Sequence, residues 1–288
     1  MGDSSSKHAS PPPSPTFSEP WREIPWRHKD RELQYVRDYQ PHSDVQHLRI
    51  LLHGPVGAGK SSFIDSVDSV LQGRITTRAL AAANASESFT HKYKTYKIQK
   101  GRPGDFYPFV LSDTMGLEMQ DGGVHREDIK LALKGHVTDG YTFNPASKLS
   151  DDSKYYNAEP TLNDKVHVLV CVVPADQIPL VSESFVRKIK DIRRTASDLG
   201  IPQLVIITKI DLACPLIKKD LKNIYKSKYL KETMEKFSYL VGIPMNCIIP
   251  VMNYHEEINI KDDVDSLILS VLRRIISSGE DFINHMET

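Results

Sequence analysis

Short, almost continuously apolar runs alternate along the chain with longer segments in which apolar residues recur every three or four positions. The apolar runs are residues 48–52, 106–111, 166–173, 204–207 and 247–251. Runs of this kind are typical of strands that are buried on both faces of a sheet. The segments around residues 185–199, 221–240 and 262–276 have the period of helices that bury one face. Strands and helices in alternation predict an α/β fold, with a mostly parallel sheet and helices on both of its faces.

Residues 92–99 follow a different pattern, in which Tyr and Ile alternate with Lys and Thr. The next segment, Gly101-Arg102-Pro103-Gly104, is rich in turn-forming residues. We therefore expect residues 92–99 to form an edge strand that turns back, antiparallel, onto the run that begins at Phe106.

The N-terminal part of the chain divides into two pieces of different composition. Residues 1–16 are rich in Ser and Pro and carry too little apolar surface to offset the entropy lost on ordering, so a disordered tail is expected. The start fits the loose N-myristoylation pattern at Gly2, but an ordinary polar start is the favoured interpretation. Residues 17–46 contain both tryptophans of the chain, Trp21 and Trp26. Large aromatic side chains are costly to leave in water, so this second piece is predicted to dock on the folded body.

Composition limits the classes of function. Lys and Arg number 37, and Asp and Glu also number 37, so the formal net charge is zero. This balance argues against nucleic acid as a partner, because sequence-independent binding to a polyanion needs an excess of basic side chains. No run reaches the ~18 to 20 apolar residues of a membrane span, so we expect no membrane span and a cytoplasmic location.

Residues 54–61, Gly-Pro-Val-Gly-Ala-Gly-Lys-Ser, match G-x-x-x-x-G-K-[ST] at every fixed position and lie between a predicted strand and a predicted helix. This is the pattern of the P-loop NTPases, in which successive backbone N–H groups converge on phosphate oxygens and the helix end adds partial positive charge. We expect Lys60 to reach the β- and γ-phosphates as the catalytic cation, and Ser61 to bind Mg²⁺. The predicted nucleotide-binding residues here are Gly54, Pro55, Val56, Gly57, Ala58, Gly59, Lys60, Ser61 and Ser62. The alternative is a glycine-rich turn without function.

A second motif, Asp113-Thr114-Met115-Gly116, follows the apolar run that begins at Phe106. Asp113 is expected to hold Mg²⁺ through water, and the N–H of Gly116 to contact a γ-phosphate. A lone D-x-x-G has no weight, but this one ends a strand of the same predicted sheet as the phosphate loop, so the two should meet at one edge. A threonine just before residue 92 should complete the metal site. Thr90 is best placed, and the competitors are Thr76, Thr77 and Thr95.

The third motif, Thr208-Lys209-Ile210-Asp211, follows the run at residues 204–207 and bears on which base is bound. A buried carboxylate at Asp211 can accept hydrogen bonds from the N1–H and N2–H₂ groups of guanine, whereas adenine offers no matching pair of donors. The stem of Lys209 can lie across the base, and Asn253, after the run that ends at Val251, could touch the base. The predicted cofactors are therefore GTP or GDP with Mg²⁺. A helix N-cap is the alternative role for Asp211.

These three motifs, in this order and each after a strand, resemble those of the P-loop GTPases. Thr208 stands where many members have Asn. In members that hydrolyse GTP by themselves, a Gln that orients the attacking water follows the D-x-x-G glycine, and here that residue is Leu117. Leucine cannot orient water. The resulting hypothesis is slow intrinsic hydrolysis, or hydrolysis that needs a group from a partner or a second copy.

Residues 120–164 make the stretch between the second and the third motif longer than one helix and one strand would need. The pattern predicts a short amphipathic helix around residues 126–134, followed by a polar loop that carries Tyr141, Phe143, Tyr155 and Tyr156. Long loops are often functional, so a partner-binding or nucleotide-sensing role and a solvated surface excursion both stay open. With this insert, residues 47–288 are expected to form a single enlarged G domain.

Several longer segments resemble the interferon-induced protein 44 family. They are F-S-E-P-W-R-E-I-P-W at residues 17–26, G-P-V-G-A-G-K-S-S-F at 54–63, S-D-T-M-G-L-E at 112–118, Y-T-F-N-P at 141–145, T-K-I-D at 208–211 and L-I-L-S-V-L-R-R-I-I at 267–276. The resemblance covers most of the chain from Phe17 onward. It implies a cytoplasmic G-domain protein of the interferon-induced, innate antiviral response, with protein partners in immune signalling.

The expected function is a GTP- and Mg²⁺-dependent switch with slow or partner-assisted hydrolysis. One alternative is an interaction scaffold that binds nucleotide structurally or not at all. Another is an ATP-using P-loop kinase or ATPase, which the T-K-I-D motif disfavours. Nucleotide-dependent self-association is left open.

Overall fold

The computed structural model describes residues 14–42, 45–82, 92–118 and 124–286. In these ranges, one sheet is built from β1 (Leu48–His53), β2 (Lys94–Gln99), β3 (Phe106–Asp113), β4 (Val168–Pro174), β5 (Gln203–Thr208) and β6 (Ile248–Pro250). The order across the sheet is β2-β3-β1-β4-β5-β6. β2 pairs antiparallel with β3, and the other neighbours pair parallel. The predicted α/β fold, with an antiparallel edge hairpin on a mostly parallel sheet, is confirmed.

Two layers of helices cover the sheet. The helices are α1 (Lys29–Asp38), α2 (Lys60–Gln72), α3 (Arg78–Ala82), α4 (Arg126–Leu133), α5 (Glu183–Asp198), α6 (Ile210–Ala213), α7 (Pro215–Lys219), α8 (Lys228–Val241) and α9 (Asp262–Met286). In one layer α9 contacts α1, α2, β1 and β4, and in the other α5 contacts α4 and α8. Every residue of β4 is buried, as expected of a central strand with helices on both faces.

The sequence pattern at residues 221–240 predicts one helical segment, and the structure divides it. A 3₁₀ turn covers Leu221–Asn223, and α8 begins only at Lys228. The reason is local capping: the hydroxyl of Ser227 accepts a hydrogen bond from the N–H of Leu230, which favours a helix start at this point.

The N-terminal segment lies against the body of the protein. Thr16 forms an antiparallel bridge with Ser227, just before α8. The guanidinium of Arg22 donates hydrogen bonds of 2.8 Å to the carbonyl oxygens of Met245 and Ile248. It also lies over the ring of Trp21. Of the predicted tail, residues 1–16, the first 13 residues with the pattern at Gly2 lie outside the described residues, whereas Thr16 is described and takes part in the bridge to Ser227.

The described part of the insert, residues 124–164, adds to the outer edge of β2. Lys92 and Thr142 form an antiparallel bridge. The N–H of Tyr93 donates to the carbonyl of Tyr141 over 2.7 Å, and the carbonyl of Tyr93 accepts from Gly140 over 2.8 Å. Tyr141 and Phe143 are buried, so these aromatic side chains pack inside the protein instead of facing water.

Within the described ranges, none of the helices combines the length and the apolar character that a bilayer crossing requires.

Candidate nucleotide-binding site

The glycine-rich loop between β1 and α2 lies over the carboxyl ends of the neighbouring strands. Gly54 has φ 146°, and a Cβ at this position would overlap the carbonyl oxygen of Val172 on β4. Gly59 has φ 89° and precedes the first residue of α2. Only glycine combines such backbone angles with so close an approach, which explains both fixed glycines of the motif.

Two side chains at the carboxyl edge of the sheet hold this loop. Thr208, the last residue of β5, is fully buried, and its hydroxyl donates to the carbonyl oxygen of Ala58 over 2.6 Å. Asn253, in the loop after β6, donates from Nδ2 to the carbonyl oxygen of Gly59 over 3.1 Å. Thr208 and Asn253 therefore both contact the phosphate loop.

Lys60 lies beneath the loop. Its side chain is buried, and Nζ donates to the carbonyl oxygens of Pro55 at 3.2 Å and Gly54 at 3.4 Å. Burial lowers the pKa of Lys60, and the nearby carboxylate of Asp113 opposes this effect. His53, also buried, has its pKa lowered to about 3, first by burial and then by the charge of Lys60. The imidazole of His53 is therefore neutral near pH 7.

Ser61 and Asp113 meet at the start of α2. The Ser61 hydroxyl donates to a carboxylate oxygen of Asp113 over 2.6 Å, and Asp113 is fully buried. A hydroxyl and a carboxylate are hard oxygen ligands, which fit Mg²⁺. No group of three or more His, Cys, Asp and Glu side chains among the described residues could hold a metal by itself. A magnesium ion at this pair would therefore depend on phosphate oxygens as further ligands.

The predicted metal-ligand threonine, Thr90, lies outside the described residues. Two of its competitors make contacts away from the loop. The hydroxyl of Thr76 donates to the carbonyl of Asp65, and Thr95 lies beside Ser112 on the hairpin.

The D-x-x-G segment pairs directly with the phosphate loop. The N–H of Leu117 donates to the carbonyl of Gly54 over 2.9 Å, and the carbonyl of Leu117 accepts from the N–H of Val56 at 3.3 Å. A Cβ at Gly116 would lie 2.6 Å from Cα of Val56, so only glycine fits there. The side chain of Leu117 is buried, with 1% exposed.

A cavity of about 460 Å³ opens beside these groups, within the usual size of a small-molecule site. It is lined by Val56, Gly57, Ala58, Gly59, Lys60, Ser61, Ser62, Leu80, Gly116, Lys209, Asp211, Leu212, Asn253, Tyr254 and His255. Of the other predicted residues, Gly54, Pro55, Asp113 and Thr208 contact this lining from behind.

Asp211 differs in one respect from the sequence-based expectation of a buried carboxylate. It is half-buried, at the second position of α6, and lies in the cavity wall. The residue at the N-cap position of α6 is Lys209, with φ 54°, so the alternative of Asp211 as the helix N-cap does not hold.

Sequence reasoning missed four residues of the wall: Leu80, Leu212, Tyr254 and His255. Tyr254 and His255 directly follow Asn253, and proximity to that residue is the only signal that points to them. Leu80 lies on α3, a five-residue helix too short to produce a periodic pattern.

No family model matches the chain. Human interferon-induced protein 44 is 36% identical over 255 residues, which are 88% of this chain and 57% of that protein. The mouse protein of the same name is also 36% identical over 255 residues, covering 88% of this chain and 60% of that protein. Human interferon-induced protein 44-like is 32% identical over 261 residues, 90% of this chain and 58% of that protein. The chain thus spans somewhat less than two thirds of the length of these curated relatives.

Two solved structures with a similar fold are forms of Toc33 from Arabidopsis thaliana. The complex of Toc33 with Mg²⁺ and GMPPNP matches with a TM-score of 0.51 and 13% identity, over 88% of this chain and 92% of that one. A dimerization-deficient mutant of Toc33 matches with a TM-score of 0.50 and 14% identity, over 90% and 96%. At this level of identity the likeness shows the fold alone.

Proposed function

We propose that this chain belongs, in the region that it shares with these relatives, to the interferon-induced protein 44 family, and that it is a guanine-nucleotide-binding protein of the innate antiviral response. The observation that carries the proposal is the convergence of three motifs on one cavity. The phosphate loop, Gly116, Lys209 and Asp211 all line it, and Asp113 contacts it through Ser61. These motifs come from three separate stretches of the sequence, and the fold brings them to one edge of the sheet.

The loop end of the cavity suits phosphates. The first backbone N–H groups of α2 have no partner within the helix, and the helix dipole adds partial positive charge there. Lys60 supplies a buried cation, and the Ser61 and Asp113 pair fits Mg²⁺, which would neutralise charge on the phosphates. We propose GTP and GDP with Mg²⁺ as the ligands. The crystallised complex of Toc33 with Mg²⁺ and GMPPNP supports the same pair of ligands for this fold.

The opposite end of the cavity suits guanine. The Asp211 carboxylate lies in the wall next to Lys209, whose four-carbon stem can cover the face of a base. Guanine presents two adjacent donors that a carboxylate can accept, and adenine does not. This contrast favours guanine nucleotides over ATP.

We propose that intrinsic hydrolysis of GTP is slow. The position after the D-x-x-G glycine holds Leu117, whose buried side chain has no group that could orient a water molecule. Its backbone is bonded to Gly54 and Val56, which keeps this apolar residue beside the loop. A partner or a second copy would then have to supply the missing group. One of the similar structures is a dimerization-deficient mutant of Toc33. We include nucleotide-dependent self-association of this chain in the proposal.

The second candidate function is an interaction scaffold in immune signalling that uses nucleotide structurally or not at all. The specific observation in its favour is that Leu117, whose side chain cannot orient water, is held beside the loop by its backbone hydrogen bonds to Gly54 and Val56. In both candidates we propose one G domain over residues 47–288 with the docked segment before it, and a cytoplasmic location.

Titration of the purified protein with fluorescent GDP, GTP and ATP analogues separates these functions. Wild type is expected to bind GDP and GTP and to discriminate against ATP. Lys60→Ala should lose most of the affinity, Asp211→Asn should lose the preference for guanine, and the exposed control Lys218→Ala should match wild type. Equal binding by wild type and Lys60→Ala would contradict the proposal. Preference for ATP would favour a kinase or ATPase, and absence of any nucleotide binding would favour the scaffold.

A further inference from the structure

The side-chain amide of Asn253 is built into the phosphate loop. Its Nδ2 donates to the carbonyl oxygen of Gly59 over 3.1 Å, and a Cβ at Gly59 would come within 3.0 Å of the same atom. The carbonyl of Gly59 also accepts the N–H of Phe63 over 2.9 Å, the hydrogen bond that opens α2. This carbonyl is therefore held from two sides.

The preceding carbonyl is held as well, by the hydroxyl of Thr208, which donates to Ala58 over 2.6 Å. In a planar trans peptide, the C=O of one residue and the N–H of the next point in opposite directions. Since Thr208 and Asn253 hold the carbonyls of Ala58 and Gly59, the N–H groups of Gly59 and Lys60 face away from both side chains. These are two of the N–H groups with which such a loop binds phosphate.

A threonine hydroxyl has one hydrogen, and Thr208 donates it to Ala58. Thr208 therefore has no hydrogen left for the carbonyl of Gly59, which needs a side-chain donor from elsewhere. Asn253 supplies it from the next strand end, 194 positions away along the chain from Gly59.

The second polar atom of this amide is its oxygen, Oδ1. Oδ1 of Asn253 is buried and has no hydrogen-bond partner among the described residues. The bond from Nδ2 to the loop is thus what this side chain contributes.

We infer that Asn253 is a positioning residue for the phosphate end of the bound nucleotide, completing the loop anchoring that Thr208 begins, and that it does not select the base. This inference rests on the proposed function and assigns a different role from the base contact expected from the sequence. It predicts that loss of the amide lowers the affinity for every nucleotide by the same factor.

The test compares Asn253→Ala with Asn246→Ala, an exposed residue of the same type on the preceding turn. Affinities for GDP, GTP and ATP are measured for both variants and for wild type. Asn253→Ala should weaken all three by about tenfold, the size expected for one hydrogen bond, and leave the GTP-to-ATP ratio unchanged. Asn246→Ala should match wild type. Unchanged affinity in Asn253→Ala, or a changed GTP-to-ATP ratio, would overturn the inference.

A rescue experiment separates positioning from general destabilisation. An asparagine at position 208 is close in volume to threonine and has two amide hydrogens instead of one hydroxyl hydrogen. Thr208→Asn combined with Asn253→Ala should recover at least threefold of the lost affinity. Recovery supports the division of roles between the two positions, and its absence counts against it.

Hydrogen exchange keeps the inference testable if the proposed function is wrong. Should wild type bind no nucleotide, the proposed function fails and exchange in residues 54–62 decides the inference alone. Faster exchange there in Asn253→Ala, but not in Asn246→Ala, supports the anchoring role, and equal exchange in both variants overturns it.

Discussion

The hydroxyl of Ser61 donates a hydrogen bond of 2.6 Å to the carboxylate of Asp113, which joins the first turn of α2 to the end of β3. Both groups are oxygen ligands of the kind that Mg²⁺ prefers. Asp113→Asn keeps the shape of the side chain and removes its charge. We expect the affinity for Mg²⁺ in the presence of GTP to fall 10- to 100-fold, as for other groups that support a metal through water. The measurement is GTP affinity across a series of free Mg²⁺ concentrations.

Asp105→Asn is the matched control, because Asp105 is exposed in the turn just before β3. It should leave the Mg²⁺ dependence unchanged. If Asp113→Asn gives the same Mg²⁺ dependence as this control, Asp113 has no part in a metal site.

Leu117 follows the D-x-x-G glycine, the sequence position at which GTPases that hydrolyse GTP by themselves carry a Gln, and only 1% of it is exposed. We predict that Leu117→Gln raises the single-turnover rate of GTP hydrolysis by about tenfold or more, because an amide can hold a water molecule and an alkyl group cannot. The rate is measured with protein in excess over GTP. Leu117→Met preserves volume and apolar character, so it serves as the control and should hydrolyse as slowly as wild type.

Rapid hydrolysis by the wild-type monomer would contradict this prediction, and so would equal rates for the Gln and Met variants. Burying an amide can also lower stability. Both variants should therefore be compared by thermal unfolding before their rates are interpreted.

The sequence predicts the site best where a motif directly follows an apolar run. The phosphate loop, Asp113 and Asp211 each stand at a strand end, and strand ends of a parallel sheet share one edge, so local pattern is enough. The contact between Asn253 and Gly59 joins positions far apart in the sequence, and no local pattern encodes it. The helix start at Lys228 was missed for another reason, since the apolar period continues through residues 221–240 while the cap at Ser227 depends on one hydroxyl.

Arg22 joins the N-terminal segment to the loop before β6 through two carbonyl oxygens, those of Met245 and Ile248. Its guanidinium also lies over the rings of Trp21 and Tyr225. We predict that Arg22→Ala lowers the free energy of unfolding by about 2 to 4 kcal/mol, through loss of two charge-assisted hydrogen bonds and the ring contacts. The measurement is urea unfolding followed by fluorescence, which reports on both tryptophans of the segment.

Arg27→Ala removes an exposed arginine from the same segment and should change stability by less than about 0.5 kcal/mol. If both variants lose a similar free energy of unfolding, the hydrogen bonds and ring contacts of Arg22 are not what holds the segment in place.

We predict that His167 makes the stability of the protein depend on pH. Its Nδ1 accepts the N–H of Arg49 over 2.9 Å, so the ring is neutral, and Nε2 lies 3.0 Å from the carbonyl of Leu162. Burial lowers the pKa of His167 to about 4. The unfolded chain has the ordinary histidine pKa of about 6.5. Between these two values the unfolded state binds more protons, so the free energy of unfolding decreases as the pH falls.

From pH 6.5 to pH 5 this one group should cost about 1.5 kcal/mol of stability, since each pKa unit corresponds to about 1.4 kcal/mol and the histidine of the unfolded chain is already half protonated at pH 6.5. His167→Asn retains an acceptor for the N–H of Arg49 and cannot be protonated in this range. It should be less stable than wild type at pH 7, because the smaller side chain leaves a space in the core, but lose less stability on acidification. Urea unfolding at pH 7, 6 and 5 measures both effects, with exposed His28→Asn as the control that keeps the wild-type slope. An equal pH slope in His167→Asn and wild type would show that protonation of His167 is not what destabilises the acidified protein.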